Sequence, residues 1–325
     1  MLSESRNLLD VAVVLVGLNA REYIRGCLNS LVAAEWRERT YEIICVDNGS
    51  SDGTLEMLKE FPFVKVISNA KNLGFCRAAN QGAEIANAKY LFFLNDDTII
   101  LEDAVARLVD FMESDPSVGI VGSRLFYPDM TEQWSGRRFP SLANAVLGRC
   151  TFLTRLFPNA PPVVKYLCKD ELSGDQPFQV DWVSAAAMMI RRTSFEAIGG
   201  FAEDYYYWHE PVFCDRLGKL GQKTYLHPLS KIIHFEGKGS GPRPFPVRKF
   251  HILNFHEGAY RCYCEHYGLS RWHPGRWFAC TALKTRAFML LSVAWLSDRW
   301  RRLVKPAEVQ SPIAPIQPQL PTKGT

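Results

Sequence analysis

The first part of the chain alternates between short apolar runs and segments with helical spacing. The apolar runs are rich in β-branched residues and cover 11–18, 41–46, 64–68 and 90–94. Between them, the segments 22–33, 54–61 and 76–87 place apolar or small side chains three and four positions apart. Strands that are apolar throughout and alternate with helices predict a mostly parallel sheet covered on both faces, an α/β fold of the doubly wound type.

The pattern is less regular beyond residue 137. Residues 137–177 contain five prolines, four of them around a weakly amphipathic piece, 142–156, and we interpret this segment as a lid or as an insertion that faces an acceptor. Beyond it, the pattern predicts a strand over 180–191, helices over 193–198 and 212–220, and short strands over 224–226 and 231–235.

The C-terminal part differs from the rest in charge. Residues 271–305 contain eight Lys or Arg and one acid, so this segment carries +7 although the whole chain carries +4. Apolar side chains recur there at steps of four and three, at Met289, Val293, Leu296, Trp300 and Leu303. The apolar core 287–296 is about half of the roughly 20 residues that span a bilayer. These features predict an amphipathic helix lying in an anionic membrane interface, with a helix docked on the main domain as the alternative.

Composition and charge limit which partners and which cellular compartment the sequence predicts. With 325 residues and 47% hydrophobic content, the chain can bury one large core, and the small net charge gives no argument for a nucleic-acid partner. Nine scattered cysteines and an N-terminus without a secretory signal predict free thiols in the cytoplasm. Cys262 and Cys264 lie near histidines but lack zinc-finger spacing, so ordinary packing is favoured over a metal site. The Pro-rich segment 306–325 is predicted to be disordered.

Polar residues follow each of the first four predicted strands. They are Asn19 after the first, 47–53 after the second, 69–74 after the third, and Asn95, Asp96 and Asp97 after the fourth. In doubly wound sheets ligands bind beyond the carboxyl ends of the strands, so these loops are the candidate site. None of them carries the G-x-G-x-x-G pattern, which counts against a dinucleotide-binding dehydrogenase.

Two of these loops carry carboxylates with candidate chemistry. Asp96 and Asp97 end a buried strand, and adjacent carboxylates repel each other unless water or a cation reaches them. A hard divalent cation such as Mg²⁺ or Mn²⁺ shared with a diphosphate satisfies this requirement; a capped turn is the alternative. Asp47 is suited to accept hydrogen bonds from a base or a ribose, whereas Asp52 is predicted to cap the next helix.

Seven segments, in this order and spacing, carry a family resemblance. They are V-A-V-V-L-V-G-L-N, I-I-C-V-D-N-G-S-S-D-G-T, N-L-G-F-C-R-A-A-N-Q-G, F-L-N-D-D-T, V-D-W-V-S-A-A-A-M-M-I-R-R, I-G-G-F and K-I-I-H-F-E-G-K-G-S. Together they resemble the inverting family-2 glycosyltransferases, and among those the rhamnosyltransferase-like members of bacterial polysaccharide assembly. The resemblance covers residues 11–240 and implies a GT-A fold, which is a Rossmann-like, mostly parallel sheet flanked by helices.

The resemblance implies a role for each matching residue. Asp47 matches the aspartate that binds the nucleotide base, and Asn19 lies in the loop beside it. Asn72, Gly74 and Asn80 match positions that line the nucleotide diphosphate. Asn95, Asp96 and Asp97 match the D-x-D-like motif, with Asp97 as the metal ligand and the other two on the donor side. His234 matches a late histidine that completes the metal or diphosphate site.

The chain departs from the family pattern where the catalytic base is expected. Family members place a pair of acids after an aromatic stretch, but Y-Y-Y-W-H-E-P-V-F-C-D-R retains only Glu210, is one residue shorter, and has Pro211 next. We assign the general base to Glu210, and we expect Asp215 to pair with Arg216 or Lys219 on the surface. Ala185 stands where the family often has Gly, and its methyl group is expected to narrow the acceptor channel.

The resemblance implies transfer of a sugar, such as rhamnose, from a nucleotide-diphosphate donor to a glycan or polyprenyl-linked acceptor, with inversion and with Mg²⁺ or Mn²⁺. We expect a cytoplasmic enzyme, peripheral on the inner face of the plasma membrane, with a transferase domain at 1–245, a membrane-associating helical region at 246–305 and a tail at 306–325. Because Pro211 and Asn95 depart from the family pattern, the alternative is a catalytically silent module that binds nucleotide-sugars. Nucleotidyl transfer is disfavoured because V-G-L-N-A-R lacks the Gly-rich basic loop of that class.

Overall fold

The computed structural model describes residues 8–139, 156–236 and 244–304. The first part contains β1 (Leu9–Gly17), α1 (Arg21–Ala33), β2 (Tyr41–Asp47), α2 (Thr54–Leu58), β3 (Val64–Ser68), α3 (Phe75–Ile85), β4 (Ala88–Asn95) and β5 (Thr98–Ile100). It continues with α4 (Ala104–Ser114), β6 (Val118–Phe126), β7 (Glu132–Gln133) and β8 (Gly136–Arg137).

The second part begins with α5 (Pro161–Tyr166) and a short 3₁₀ helix, Glu171–Ser173. It continues with β9 (Phe178–Val180), β10 (Trp182–Val183), β11 (Ala187–Arg191), α6 (Arg192–Ala197), α7 (His209–Lys219) and β12 (Lys223–His234). Two long helices, α8 (Phe245–His266) and α9 (Pro274–Val304), complete the described chain.

The central sheet has the strand order β3-β2-β1-β4-β11-β6-β12-β5, with β7 beside β6 and β9 beside β12. Strands β1 to β4 are parallel, β11 runs antiparallel between β4 and β6, and β12 runs parallel to β6. Strands β1, β2, β3, β4, β6 and β12 therefore point the same way. The predicted α/β fold with a mostly parallel, helix-flanked sheet is confirmed.

Both faces of the sheet are buried, which explains why β1 is apolar at successive positions. Val13 and Leu15 pack with α1 and α4 on one face, whereas Ala12 and Val14 pack with α3 on the other. All four side chains are at most 1% exposed. Side chains alternate between the faces of a strand, and burying one Val or Leu contributes roughly 1.5–3 kcal/mol.

Two strand predictions were wrong in their boundaries. The single strand predicted over 180–191 is divided into β9, β10 and β11, because the chain leaves the main sheet to pair Trp182 with Arg137 of β8. The two strands predicted at 224–226 and 231–235 belong to one strand, β12, whose register shifts between His227 and Lys231. Pro228 lies in that interval and lacks the N–H that a regular ladder requires.

Other elements were missed or lie outside the described residues. The sequence pattern identified neither α4 nor β6, although both contribute to the core. Of the predicted amphipathic piece 142–156, the structure describes residue 156 only, and the tail 306–325 also lies outside the described residues.

The two C-terminal helices form an antiparallel hairpin, in which α9 packs on α8, and the predicted contact of α9 with a membrane stays a prediction. Three small residues of α9, at positions 279, 287 and 294, are buried, and the Arg248 guanidinium of α8 donates to Ser297 Oγ at 2.6 Å. Met289, Val293, Leu296 and Trp300 point away from this contact and are 55–68% exposed. Helix α9 is therefore docked, and its apolar stripe faces outward. By length and composition alone, residues 274–301 suffice to cross a membrane.

Candidate active site

Asp47 lies at the carboxyl end of β2 and is completely buried. Its Oδ2 accepts a hydrogen bond from the Ser50 N–H at 3.1 Å, whereas its Oδ1 has no hydrogen-bond partner among the described residues. A buried carboxylate oxygen without a partner costs free energy and is a feature of functional sites. Its chemistry fits a donor group of a ligand, such as a base N–H or a ribose hydroxyl.

Asn19 follows β1 with a positive φ of 49° and contacts the loop that begins at Asp47. Its N–H donates to Ser50 Oγ at 2.9 Å, and its Oδ1 accepts from the Ser51 N–H at 2.8 Å. The two loops that were predicted to lie together beyond the first two strands are thus hydrogen-bonded to each other.

Asp52 accepts hydrogen bonds from the backbone at the first residues of α1 and α2. Its carboxylate accepts hydrogen bonds from the Arg21 N–H at 3.0 Å and from the Thr54 N–H at 3.1 Å. Burial acts to raise the pKa of Asp52, but the hydrogen bonds from Thr54 and Arg21 outweigh burial and lower it. The predicted capping interaction is present, from the residue before the N-cap Gly53.

Asn48 links the end of β2 to the loop 69–74, and no sequence pattern predicted this role. Its Oδ1 accepts from the Leu73 N–H at 3.0 Å, and its Nδ2 donates to Asn72 Oδ1, also at 3.0 Å. Asn72 Oδ1 in turn accepts from the Gly74 N–H at 2.9 Å. Asn48 therefore fixes the loop 69–74 against the end of β2. Its place beside Asp47 in the D-N-G-S stretch was the only available signal.

Gly74 and Asn80 lie at the start and in the middle of α3. Gly74 has a φ of +86° and precedes the first residue of α3, and this conformation is readily adopted only by glycine. Asn80 bonds to the turn at Phe201 in both directions: its Nδ2 donates to Phe201 O and its Oδ1 accepts from the Phe201 N–H, each at 2.9 Å. The structure thus gives the Asn80 amide backbone partners, and its contact with a diphosphate stays a prediction.

The run Asn95-Asp96-Asp97 places its two carboxylates in different directions. Asp96 lies against β1, since a Cβ on Gly17 would be 3.3 Å from Asp96 Oδ2. Asp97 Oδ1 lies 3.3 Å from His234 Nε2 at the end of β12, and both residues are buried. The divergence separates the two charges at the end of this buried strand.

His234 is held by Gln133, a residue that no motif or pattern in the sequence identified. Its Nδ1–H donates to Gln133 Oε1 at 2.6 Å, while Gln133 Nε2 donates to the His234 carbonyl at 3.4 Å. In the neutral ring this leaves the lone pair on Nε2, which faces Asp97 Oδ1 and lies 3.1 Å from Asn95 Nδ2. A histidine whose second nitrogen donates to an oxygen is a typical metal ligand.

The donor set at Asp97 and His234 fits a divalent cation that is completed by a substrate. Among the described residues no group of three or more His, Cys, Asp or Glu is arranged to hold a metal ion. Mg²⁺ binds through one or two protein oxygens, substrate phosphates and water, and Mn²⁺ also accepts carboxylate oxygens. Two atoms 3.3 Å apart suit adjacent ligands of one ion at roughly 2.1 Å from each.

Glu210 lies in the first turn of α7 at the same end of the sheet. Its Oε1 accepts a long hydrogen bond of 3.5 Å from the Ala185 N–H, and the next residue, Ala186, accepts the Asn95 N–H at 3.0 Å. Two adjacent residues, Ala185 and Ala186, therefore connect Glu210 to the end of β4 at Asn95. The side chain of Glu210 remains 19% exposed.

Pro211 does not interrupt α7. It is the third residue of the helix, where a backbone N–H has no partner within the helix, so the N–H that proline lacks is not missed.

Asp215, which was expected to pair with Arg216 or Lys219 on the surface, is buried. Its carboxylate accepts from Lys219 and from His266 of α8, each at 2.7 Å. Burial acts to raise the pKa of Asp215, but these two partners lower it.

Comparisons with known proteins agree with this arrangement. The family model described as Glycosyl transferase family 2 matches residues 12–199. The chain is 27% identical over 306 residues to an N-acetylglucosaminyl-diphospho-decaprenol L-rhamnosyltransferase of Mycobacterium tuberculosis, which covers 90% of this chain and 96% of that protein.

Two solved structures share the fold. Mannosyltransferase PcManGT from Pyrobaculum calidifontis, in complex with GDP-Man and Mn²⁺, has a TM-score of 0.58 at 15% identity, over 93% of this chain and 77% of that chain. GalNAc-T7 with UDP, GalNAc and Mn²⁺ has a TM-score of 0.56 at 19% identity, over 70% of this chain and 44% of that chain.

Proposed function

The chain belongs to glycosyl transferase family 2, and from this premise we propose that it moves rhamnose from a nucleotide-diphosphate donor to a polyprenyl-diphosphate-linked sugar with inversion. The observation that carries the proposal is the convergence of Asp97 and His234 with Glu210 at one end of the sheet. The mycobacterial relative, whose name specifies a decaprenol-linked acceptor and rhamnose, supports the substrate class because the match spans both chains almost completely.

The donor side is assigned to the loops after β1, β2 and β3. Asp47, with its unpartnered Oδ1, takes a hydrogen bond from the base or ribose, and Asn19 holds the loop beside it. The loop ordered by Asn72 and Gly74 receives the diphosphate, and Asn95 and Asp96 flank it from the end of β4. Asn80 orients α3 and lies on the same side.

Asp97 and His234 would hold Mg²⁺ or Mn²⁺. A bound divalent cation neutralises the charge that develops on the departing nucleoside diphosphate. Gln133 keeps the His234 Nδ1 protonated, so that Nε2 stays a lone-pair donor at that position.

Glu210 is the general base. Its carboxylate takes the proton from the acceptor hydroxyl while that oxygen attacks the anomeric carbon from the side opposite the diphosphate. The bond to the diphosphate breaks in the same step, so one displacement inverts the configuration. A positioned carboxylate base contributes typically 10²–10⁴-fold to the rate.

The test is donor turnover by the purified protein with UDP-, dTDP- and GDP-sugars, Mn²⁺ or Mg²⁺, and a polyprenyl-diphosphate N-acetylglucosamine acceptor. We expect release of one nucleoside diphosphate with transfer of a deoxyhexose, and loss of both on addition of EDTA. Binding of a donor without transfer to this acceptor or to a lipid extract would contradict the proposal and favour a silent binding module.

The hairpin of α8 and α9 is assigned to the inner face of the plasma membrane. Its outward stripe at 289, 293, 296 and 300 is flanked by Arg299 and Arg301, a combination that binds anionic lipid. We expect Trp300→Glu to lower binding to vesicles containing phosphatidylglycerol. Phe63→Glu replaces an aromatic residue that is 52% exposed outside the hairpin and serves as the matched control. Equal vesicle binding by both variants and the wild type would contradict this assignment.

A further inference from the structure

The segment that carries Glu210 is attached to α8 by the two residues that precede α7. The Trp208 indole N–H donates to the Phe255 carbonyl at 3.0 Å, and the Tyr207 hydroxyl lies 2.8 Å from His251 Nδ1. Trp208 is the N-cap of α7, and its carbonyl accepts the N–H of Val212. The position of the first turn of α7, which contains Glu210, is therefore set by a residue bound to α8.

Trp208 adopts a conformation that a bulky residue rarely adopts. Its φ of 70° lies in the left-handed region, which is strained for a residue with a large side chain. Strain of this kind persists where the surroundings fix it, and it is concentrated at functional sites. Here the surroundings are the indole contacts with Phe255 of α8.

Gly258 of α8 permits the close approach of this segment. A Cβ at this position would lie 2.9 Å from the Tyr207 carbonyl oxygen and 3.0 Å from Trp208 Cδ1. The first of these atoms belongs to the backbone, so a side chain at 258 would displace the segment before Glu210.

Further along, α7 and α8 are joined by ionic contacts that fix the rest of the interface. Arg216 donates to Glu265 at 2.6 Å, and His266 contacts Asp215 at 2.7 Å. Because these contacts lie away from the first turn of α7, we expect a side chain at 258 to displace mainly the Glu210 end of the helix.

We propose that α8 is part of the catalytic machinery, in which Trp208 and Gly258 are positioning residues that set the place of Glu210. This inference rests on the proposed function of Glu210 as the base. It changes the division of the chain, because residues 246–266 then belong to the transferase and are not only a membrane-associating region. Both positioning residues and Glu210 lie beyond the 12–199 segment that the family model matches.

Gly258→Ala is the decisive variant, and Gly218→Ala is its matched control, because a Cβ at Gly218 of α7 meets nothing within 4 Å. We expect Gly258→Ala to lower kcat about 10–100-fold, since a displacement of about 1 Å in a catalytic group has effects of this size. The donor KM and the thermal midpoint should stay close to those of the wild type. Gly218→Ala should retain the wild-type kcat.

A double variant separates positioning from a general structural role. If Gly258 acts through Glu210, Gly258→Ala should add little to the loss already caused by Glu210→Gln. An unchanged kcat in Gly258→Ala, or the same further loss in the Glu210→Gln background, would overturn the inference. If Gly258→Ala does not fold, Trp208→Phe removes the indole N–H that bonds to the Phe255 carbonyl, keeps a smaller aromatic ring, and should give a smaller loss in kcat with the same donor KM; an unchanged kcat there overturns the inference as well.

Glu210→Gln on its own tests the proposed function. Full transfer by this single variant would remove Glu210 as the base, and the positioning inference would fail with it. Loss of transfer in Glu210→Gln with wild-type kcat in Gly258→Ala would remove the positioning inference alone.

Discussion

The donor loops, which follow β1, β2 and β3, differ in construction from the metal and base side, which consists of Asp97, His234 and Glu210 with their supporting residues. The polar side chains of the donor loops bond to one another over short distances in the sequence, as Asn48 bonds to Asn72 only 24 positions away. The metal and base side joins distant parts of the chain: His234 meets Asn95 across 139 positions, and Trp208, which precedes the helix of Glu210, meets Phe255 across 47. The donor loops therefore bond within one continuous segment, whereas the metal and base side requires the complete sheet and the C-terminal hairpin.

The largest effect that tests this comparison is expected at Asp97. Asp97→Asn removes the carboxylate that lies 3.3 Å from His234 Nε2 and would bind the cation, and we expect kcat to fall about 10²–10³-fold because charge stabilisation of the leaving group is lost. Nucleotide affinity measured without metal should change little. Metal-dependent transfer at the wild-type rate would show that Asp97 is not a ligand.

The second largest effect is expected at Gln133, which makes a long-range contact with His234. Gln133→Leu removes the acceptor for His234 Nδ1–H, and we expect the Mn²⁺ concentration for half-maximal activity to rise about 10–100-fold. At saturating Mn²⁺ most of the activity should return. A reduced rate that metal does not restore would point to misfolding of β7 rather than to support of the ligand.

Asn48→Ala tests the donor side. The variant loses the bonds to Leu73 and Asn72, so the loop 69–74 is released, and we expect the donor KM to rise about 10-fold with kcat retained. Asn87→Ala, just beyond the C-terminal end of α3, is the control. An unchanged KM in Asn48→Ala would mean that the loop is ordered without it.

The smallest effect on activity is expected at His227. This buried histidine is expected to change the pH dependence of stability. Burial, together with the nearby Arg107, lowers the pKa of His227 from 6.5 to about 4, while Asp103 and Asp110 act in the opposite direction. The unfolded state therefore binds more protons as pH falls from 6.5 to 4, and stability is lost over that window. Asp52, with its lowered pKa, loses its contribution only at more acidic pH.

We expect His227→Gln to leave activity at neutral pH unchanged and to reduce the loss of stability between pH 6.5 and 4 by up to about 3 kcal/mol. Urea unfolding at several pH values measures this. An identical pH dependence in the variant and the wild type would contradict the prediction.

The sequence predicted the donor loops better than the metal and base side, for a physical reason. Strand ends in a parallel sheet meet at one edge, so polar residues after β1, β2 and β4 had to lie together, and Asn19 and Asp47 do. Gln133 carried no pattern that linked it to His234, because the pairing of β7 with β6 is set by the tertiary fold. The same holds for Trp208, whose left-handed conformation depends on contact with α8.

The C-terminal helix shows both limits of sequence reasoning. Its periodicity identified the apolar stripe correctly, but the pattern alone left open whether that stripe faces the protein or a membrane. The structure shows that the small residues at 279, 287 and 294 are buried and that the large residues of the stripe are exposed, while contact of the stripe with a membrane stays a prediction.

The sequence by itself determined the α/β class, the parallel order of the first strands, the family and most of the candidate donor residues, since these depend on local periodicity and on short motifs. Only the tertiary structure decided which carboxylate faces His234, which residue holds that histidine, and how α8 fixes the segment before Glu210. Those contacts join side chains 47 to 139 positions apart, and no local pattern records which distant residues a folded sheet and hairpin bring within hydrogen-bond distance.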